Sequence, residues 1–235
     1  MPFDEKKNIF RYADDSDIPT ETAHLGMVFP FSIALHSARV KNTMDSAWKV
    51  YQEAQKNVDS ELVFSYNWIW AVGRLASICF YQGLADQGYA VLNQAVKTVG
   101  PFLTPNEHYR LEGGAFLPWF TTGSGAFVYA INAMFVQVYD EQGAIFFPAI
   151  PSKIQNAEIN NLFTTHGVSI SAKITAGEIK SLTAYSEKCI RWRFRIPELI
   201  AKSLKFKDII KLSKPDELGL VTVDCKLQTG TNILL

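Results

Sequence analysis

The sequence predicts an α+β protein, with α-helical hairpins over residues 1–150 and an antiparallel β-sheet domain over residues 151–235. Two observations lead to this prediction. Apolar residues recur at helical spacing through the first half of the chain, between glycine and proline breaks. After GAIFFPAIPSK the pattern changes to an alternation of apolar and polar residues, which is typical of strands with one buried face.

Four segments of the first half have helix signals. In TMDSAWKVYQEAQK, Thr43 is predicted to cap the N-terminus of a helix. ELVFSYNWIWAVGRLASICFYQG is apolar on most faces and ends at Gly83, a residue type that often follows a helix. LADQGYAVLNQAVKTVG follows it directly, and a fourth helix is predicted over residues 125–139. The short turns between these segments predict α-hairpins packed side by side.

The second half has three strand signals. GVSISAKITAGEIKSLTAYSE consists of two alternating runs around residues 175–177, which predicts a β-hairpin. In CIRWRFRIP the apolar residues alternate with Arg191, Arg193 and Arg195, so we expect a strand whose arginines form a solvated face or a domain contact. We expect that row to be a poor anion site. LGLVTVDCKLQTGTNILL predicts one or two further strands.

Composition excludes several classes of function. Lys+Arg and Asp+Glu number 23 each, so the chain has no net field that would attract nucleic acid or an anionic membrane, and neither is expected as a partner. The N-terminus has no apolar signal-peptide segment, and we expect a soluble chain. The sequence does not indicate its cellular compartment. Cys79, Cys189 and Cys225 lie far apart, which predicts buried free thiols. No metal or cofactor is predicted.

Five motifs in order resemble the closing part of glycoside hydrolase family 95. The motifs are AHLGMVFP, WIWAVGRLA…ADQGYAVL, FTTGSGAFVYAINAMFVQ, GAIFFPAIP and HGVSISAKI. Their family counterparts match residues 24–30, 68–75, 123–134, 145–151 and 167–174. The resemblance implies part of a six-hairpin (α/α)6 barrel, an α-L-fucosidase-like fold in which sugar binds in a central funnel. The expected fold class is therefore α+β, a partial (α/α)6 toroid of α-hairpins followed by a C-terminal antiparallel β-domain.

A complete barrel of this kind needs about twice as many helices as the sequence offers. We therefore expect the chain to be the C-terminal portion of a longer glycosidase, because a partial toroid leaves apolar helix faces in water. Two alternatives remain open. The chain pairs with a partner, either a missing N-terminal half or a second copy, or it closes on itself as a smaller α+β domain.

The catalytic residues that the resemblance implies are replaced in this sequence. Inverting hydrolysis needs a carboxylic acid and a carboxylate base. Arg11 stands where the family has its acid Glu, and Thr122 stands where the family has a catalytic Asp. The substitutes are four acidic residues in a loop before His24, namely Asp14, Asp15, Asp17 and Glu21. A clustered carboxylate gains a raised pKa suited to an acid, but a solvated acidic loop accounts for the same pattern.

The carbohydrate-binding candidates also follow from the resemblance. They are His24, Asn67, Trp68, Trp119, Thr122 and Ser124. In PWFTTGSGAF, small residues would let the backbone approach a sugar, the hydroxyls would bind it, and Trp119 would stack on it. The alternative is a helix start capped by Thr122 or Ser124, with Trp119 in the core.

These observations favour an oligo- or polysaccharide as the partner. The main hypothesis is a glycoside hydrolase-like protein that hydrolyses or binds glycosidic substrates. One alternative is a sugar-binding protein without catalysis, which the replacements at Arg11 and Thr122 suggest. The other is a helical protein-interaction domain.

Overall fold

The computed structural model describes residues 3–11, 37–56, 69–96, 108–110, 114–116, 120–139 and 143–235. The chain divides into two compact units, Met1–Ile131 and Asn132–Leu235. The first unit contains most of the helices, and the second contains two large sheets. None of the helices within the described ranges is long and apolar enough to cross a membrane.

The first unit combines helices with two small β-ribbons. Its elements in chain order are β1 (Phe3–Asp4), β2 (Ile9–Phe10), α1 (Ala38–Lys56), α2 (Ile69–Tyr81), α3 (Ala85–Val96), β3 (His108–Arg110), β4 (Gly114–Phe116) and α4 (Thr121–Phe135). The last turn of α4 already belongs to the second unit. Strands β1 and β2 pair antiparallel, as do β3 and β4.

Helices α2 and α3 form an α-hairpin whose turn is set by Gly83. This residue has a φ of +72°, where a glycine escapes the steric cost of a Cβ. The Leu84 amide donates to the Cys79 carbonyl at 2.9 Å, and the Gly83 amide donates to the Phe80 carbonyl at 3.1 Å. These two bonds are those of a Schellman motif, so the predicted helix end at Gly83 is confirmed.

Helices α2 and α4 approach each other closely. A Cβ on Gly73 of α2 would lie 2.8 Å from the Cβ of Ala126 on α4. The hydroxyls of Tyr81 and Tyr129 lie 2.6 Å apart at a second contact between the same two helices. Small residues at the first point allow the close packing, because bulkier side chains would push the helices apart.

Helix α1 is tied to the N-terminal ribbon through Thr43. The Phe10 amide donates to Thr43 Oγ1 at 2.9 Å, and Thr43 Oγ1 donates to the Arg39 carbonyl at 2.7 Å. The Arg39 guanidinium lies 4.0 Å from the centre of the Phe3 ring. Because α1 begins at Ala38, Thr43 lies inside the helix, and the predicted N-cap at this residue is wrong.

The second unit contains two sheets. Its elements are β5 (Val136–Tyr139), β6 (Gly143–Phe146), β7 (Ala157–Phe163), β8 (Ser169–Thr175), β9 (Glu178–Ser186), β10 (Ile190–Pro197), α5 (Glu198–Ala201), β11 (Ile209–Leu212), β12 (Leu220–Leu227) and β13 (Gly230–Ile233). The five-stranded sheet has the order β11-β12-β10-β6-β5, and the four-stranded sheet has the order β13-β9-β8-β7. The four-stranded sheet is antiparallel throughout.

The core of this unit is formed by the buried faces of the two sheets. On β10, Trp192 and Phe194 are buried, and both rings pack against Phe146 of β6 at centroid distances of 5.4 and 4.9 Å. Trp192 Nε1 donates to Thr165 Oγ1, in the loop between β7 and β8, at 3.4 Å. The predicted alternation of CIRWRFRIP is therefore confirmed, since its apolar residues enter the core and its arginines point away from it.

The predicted hairpin around residues 175–177 is also confirmed. Thr175 pairs with Glu178, so Ala176 and Gly177 form a two-residue turn in which both have positive φ. This geometry matches the right-handed twist of the flanking strands. LGLVTVDCKLQTGTNILL forms two strands, as expected, and these strands belong to different sheets.

The predicted fold class, a partial (α/α)6 toroid followed by an antiparallel β-domain, is wrong. Helices and strands each contribute about 35% of the described residues, and small β-ribbons precede α1 and separate α3 from α4. The five-stranded sheet is mixed, because β6 runs parallel to β10. Helical periodicity is a local property and does not determine how successive helices are arranged. Alternation likewise shows that a strand has a buried face without showing its direction.

The predicted fourth helix over residues 125–139 is wrong in both bounds. Helix α4 begins four residues earlier, at Thr121, and ends at Phe135. Residues 136–139 form β5, which pairs with β6. The apolar pattern of this segment suits a buried helix and a buried strand equally well, because short apolar runs do not distinguish the two.

Candidate functional site

Most of the predicted site residues lie outside the described residues. These are the acidic candidates Asp14, Asp15, Asp17 and Glu21 and the sugar-binding candidates His24, Asn67, Trp68 and Trp119. Their proposed roles stay predictions. Thr122 and Ser124 are described.

Thr122 and Ser124 lie in the first turn of α4, not in a loop before it. Thr122 is exposed, whereas Ser124 is partly buried. Ser124 Oγ donates to the Phe120 carbonyl at 3.2 Å, so this hydroxyl is already engaged by the backbone. Neither residue caps the helix, because both lie inside it. The first turn contains no acidic residue, so this part of α4 does not provide the carboxylate that hydrolysis needs.

Arg11, which stands at the expected position of an acid, forms an ion pair. Its Nη2 lies 2.7 Å from Asp4 Oδ2. The hydrogen bond from Arg11, supported by the backbone amides of Lys7 and Lys6, lowers the pKa of Asp4 from 3.8 to about 2. Asp4 is therefore a structural anion at neutral pH and has no proton to donate.

The arginines of β10 are partly neutralised by acidic neighbours. Arg193 Nε lies 2.7 Å from Asp224 Oδ1, and Arg193 Nη2 lies 3.2 Å from Asp224 Oδ2. These bonds hold the pKa of Asp224 below its ordinary value, and the charges of Arg191 and Lys211 act in the same direction. Arg195 pairs with Asp216. The row is thus a charged sheet face with internal ion pairs, and the expectation that it is a poor anion site stays a prediction.

Two of the three cysteines are buried and are protonated, unreactive thiols at neutral pH. Burial raises the pKa of both Cys79 and Cys225 to about 12, so neither is a thiolate at neutral pH. Cys189 is exposed, which is where the prediction of buried thiols is wrong. Across the described ranges, no group of three or more His, Cys, Asp or Glu side chains is arranged to hold a metal ion.

The outer face of the four-stranded sheet carries aromatic and hydroxyl side chains instead of charged ones in one row across the strands. Four residues stand in direct cross-strand register there, one on each strand: Thr231, Tyr185, Ser169 and Phe163. We name these four residues the aromatic row. Directly opposed residues in antiparallel strands project to the same side of the sheet, so the row forms one continuous surface.

The two rings of the aromatic row are unusually exposed. Phe163 is 75% exposed and Tyr185 is 46% exposed, although aromatic side chains are among the most effective in a core. The residues facing inward on the same strands, among them Ile170, Leu182 and Ala184, are buried. The unit therefore has ample apolar material inside and still places two rings in water, which marks this face as a candidate binding surface.

Ser169 lies between the two rings and is only 5% exposed. Its hydroxyl has no hydrogen-bond partner among the described residues. A buried hydroxyl without a partner is destabilising by about 1–3 kcal/mol. Such groups are rare in folded proteins, and a role in binding or catalysis is one reason why a fold retains them.

A second line of hydroxyls runs beside the aromatic row. Thr183 of β9 is paired with Ser171 of β8 and Ile233 of β13. Ser171 Oγ accepts a hydrogen bond from the Asn161 amide at 3.0 Å, so this serine, unlike Ser169, is satisfied. The face as a whole offers two apolar rings together with several small hydroxyl side chains.

A β-bulge in β7 determines which residue joins the row. The pairing of β7 with β8 shifts by one residue between Ile159 and Leu162. Asn161 occupies the bulge with a φ of +54°, which Asn tolerates better than most residues. The shift puts Phe163 opposite Ser169 on the outer face, whereas Ile159 lies on the inner face.

The sequence interpretation missed this site entirely. Tyr185 and Ser169 were visible as outward positions of two alternating runs, but their partners on β7 and β13 were not. The one signal in the sequence was the position of Tyr185 in the hairpin, because the alternating pattern places this aromatic residue on the outward, polar side of its strand.

No protein-family model matches the chain, and no curated protein matches it at a significant level.

Proposed function

We propose that the chain binds carbohydrate, and that an oligo- or polysaccharide lies on the aromatic row. The observation that supports this most is the buried hydroxyl of Ser169, without a partner among the described residues, between the exposed rings of Tyr185 and Phe163. A pyranose ring presents apolar C–H groups on its faces and hydroxyls around its edge. A surface with rings and hydroxyls in one line complements both features.

The expected energies are adequate for a weak, specific interaction. Covering about 60 Å² of ring surface at roughly 25 cal/mol per Å² contributes about 1.5 kcal/mol for each ring. A hydrogen bond to Ser169 adds about 1 kcal/mol and satisfies a hydroxyl that has no partner among the described residues. Because each ring contributes about 1.5 kcal/mol, we expect the loss of one ring to weaken binding about tenfold.

The resemblance of the motif order to glycoside hydrolase family 95 points to the same class of ligand. We propose binding rather than hydrolysis for the aromatic row, because none of its four residues is a carboxylate. Arg11 and Thr122, which stand where the resemblance implies the family's acid Glu and catalytic Asp, support the same choice.

Affinity electrophoresis through gels containing soluble polysaccharides tests the proposal. We expect the migration of the full chain to be retarded by at least one neutral polysaccharide, and the retardation to be strongly reduced in Tyr185→Ala and in Phe163→Ala. Leu199→Ala is the matched control, because Leu199 is 80% exposed but belongs to the short helix after β10. Equal retardation of all variants, or none in any gel, would contradict the proposal.

A further inference from the structure

The spacing of the two rings indicates what form of carbohydrate fits. Tyr185 lies on β9 and Phe163 on β7, with β8 between them. Adjacent strands are separated by about 4.8 Å, so the two backbone positions lie about 10 Å apart. The line that joins them crosses the strands at a right angle, and Ser169 is at its middle.

This separation is comparable to the length of one disaccharide unit in an extended β-1,4-linked pyranose chain. In such a chain alternate sugars present the same face to one side. We infer that the aromatic row binds an extended β-1,4-linked neutral chain lying across the strands, with the rings on two alternate sugars and Ser169 Oγ on the sugar between them. This inference rests on the proposed carbohydrate-binding function.

The twist of the sheet further restricts the ligand. Neighbouring strands are rotated by roughly 20–25°, so the outward directions at Phe163 and Tyr185 differ by roughly 45°. A single chain in solution can follow such a twist, whereas the flat face of a crystalline polysaccharide cannot touch both rings. An α-1,4-linked chain curls, so its alternate sugars do not present the same face along a straight line.

The burial of Ser169 implies that the side chains beside it move on binding. Ser169 is only 5% exposed, so a sugar reaches its hydroxyl only when a neighbouring side chain changes rotamer, which exposed side chains do on a fast timescale. The cost of that movement is offset by a hydrogen bond to a hydroxyl that has no partner among the described residues.

Calorimetric titration of the full chain with cello-oligosaccharides, from the disaccharide to the hexasaccharide, tests the inference. Malto-oligosaccharides of equal length are the matched ligands. We expect affinity for the cello series to rise about tenfold once the chain is long enough to reach both rings, which is the contribution of one further ring, and then to level off. Insoluble cellulose should not compete.

The variants distinguish carbohydrate binding in general from the recognition of an extended chain. Tyr185→Ala and Phe163→Ala should each abolish the dependence on chain length while retaining residual binding, and Leu199→Ala should behave as the unmodified chain does. Circular dichroism of each variant verifies the fold. Binding that is equally tight for the disaccharide and the hexasaccharide, or for the malto series, overturns the extended-chain inference but leaves carbohydrate binding intact. The absence of binding to every saccharide overturns both.

Discussion

Replacing Ser169 by alanine should stabilise the free protein and weaken its binding of sugar. The hydroxyl is buried without a partner among the described residues, which is destabilising by about 1–3 kcal/mol. Alanine removes the polar group and leaves almost the same shape. We expect the free energy of unfolding to rise by about 1 kcal/mol, which corresponds to roughly 2–4 °C in the melting temperature of a chain this long. Affinity for an oligosaccharide should fall about fivefold, the value of one hydrogen bond.

Ser171→Ala is the matched control for this prediction, since Ser171 lies two residues away on the same face of the same strand. Its hydroxyl accepts the exposed Asn161 amide, so its removal loses a hydrogen bond that water replaces in part and should lower stability by about 0.5 kcal/mol. Differential scanning calorimetry of the full chain measures both variants, and titration measures binding. If Ser169→Ala lowers the melting temperature as Ser171→Ala does, the Ser169 hydroxyl is satisfied and the argument for a ligand at this position fails.

Three further predictions concern stability and reactivity. Arg11→Ala should return the pKa of Asp4 from about 2 towards 3.8, which carboxyl NMR measures, and an unchanged pKa would contradict the assignment. Because the folded pKa of Asp4 is depressed, the contribution of this ion pair to stability is present above pH 4 and is lost as the pH falls from 4 to 2. A thiol reagent should label Cys189 rapidly in the native protein and all three cysteines only in denaturant, whereas rapid labelling of two or three would refute the burial of the others. Gly143→Ala should destabilise the chain by about 2–4 kcal/mol in urea titrations, because its φ is +81° and the new Cβ would lie 2.4 Å from the Arg193 carbonyl oxygen. Gly125→Ala, whose Cβ would have no described atom within 4 Å, should instead stabilise α4 by about 0.5–1 kcal/mol.

The features that the sequence predicts correctly are those set by neighbouring residues. Gly83 ends α2 because only the local backbone decides whether a residue with positive φ is needed. The alternation in β10 places Trp192 and Phe194 in the core for a similar reason, since successive side chains of any strand point to opposite faces. The turn at Ala176 and Gly177 follows from the two alternating runs on either side of it.

The arrangement of these elements was not predicted, because it depends on pairings between distant segments. Nothing in the sequence around Phe146 distinguishes a parallel neighbour of β10 from an antiparallel one, and β6 is buried in either case. Strands β12 and β13 are separated by two residues in the sequence and still belong to different sheets. Helical periodicity in the first half likewise predicted that helices form there, although not all of their bounds, while the toroid that we assembled from them was wrong.

The aromatic row depends on the least predictable feature of all, the one-residue bulge in β7. Strict alternation from Ile159, which faces the core, would place Asn161 and Phe163 on the same inner side. The extra residue at Asn161 reverses this parity, so that Leu162 pairs with Ile170 on the inner face and Phe163 pairs with Ser169 on the outer one. Without the bulge, Phe163 would be an additional core residue, and Ser169 would have a ring on one side only. The positive φ at Asn161 and the exposed Phe163 form a local arrangement that folding alone does not require, and the ligand that we propose for the outer face would supply a reason for it.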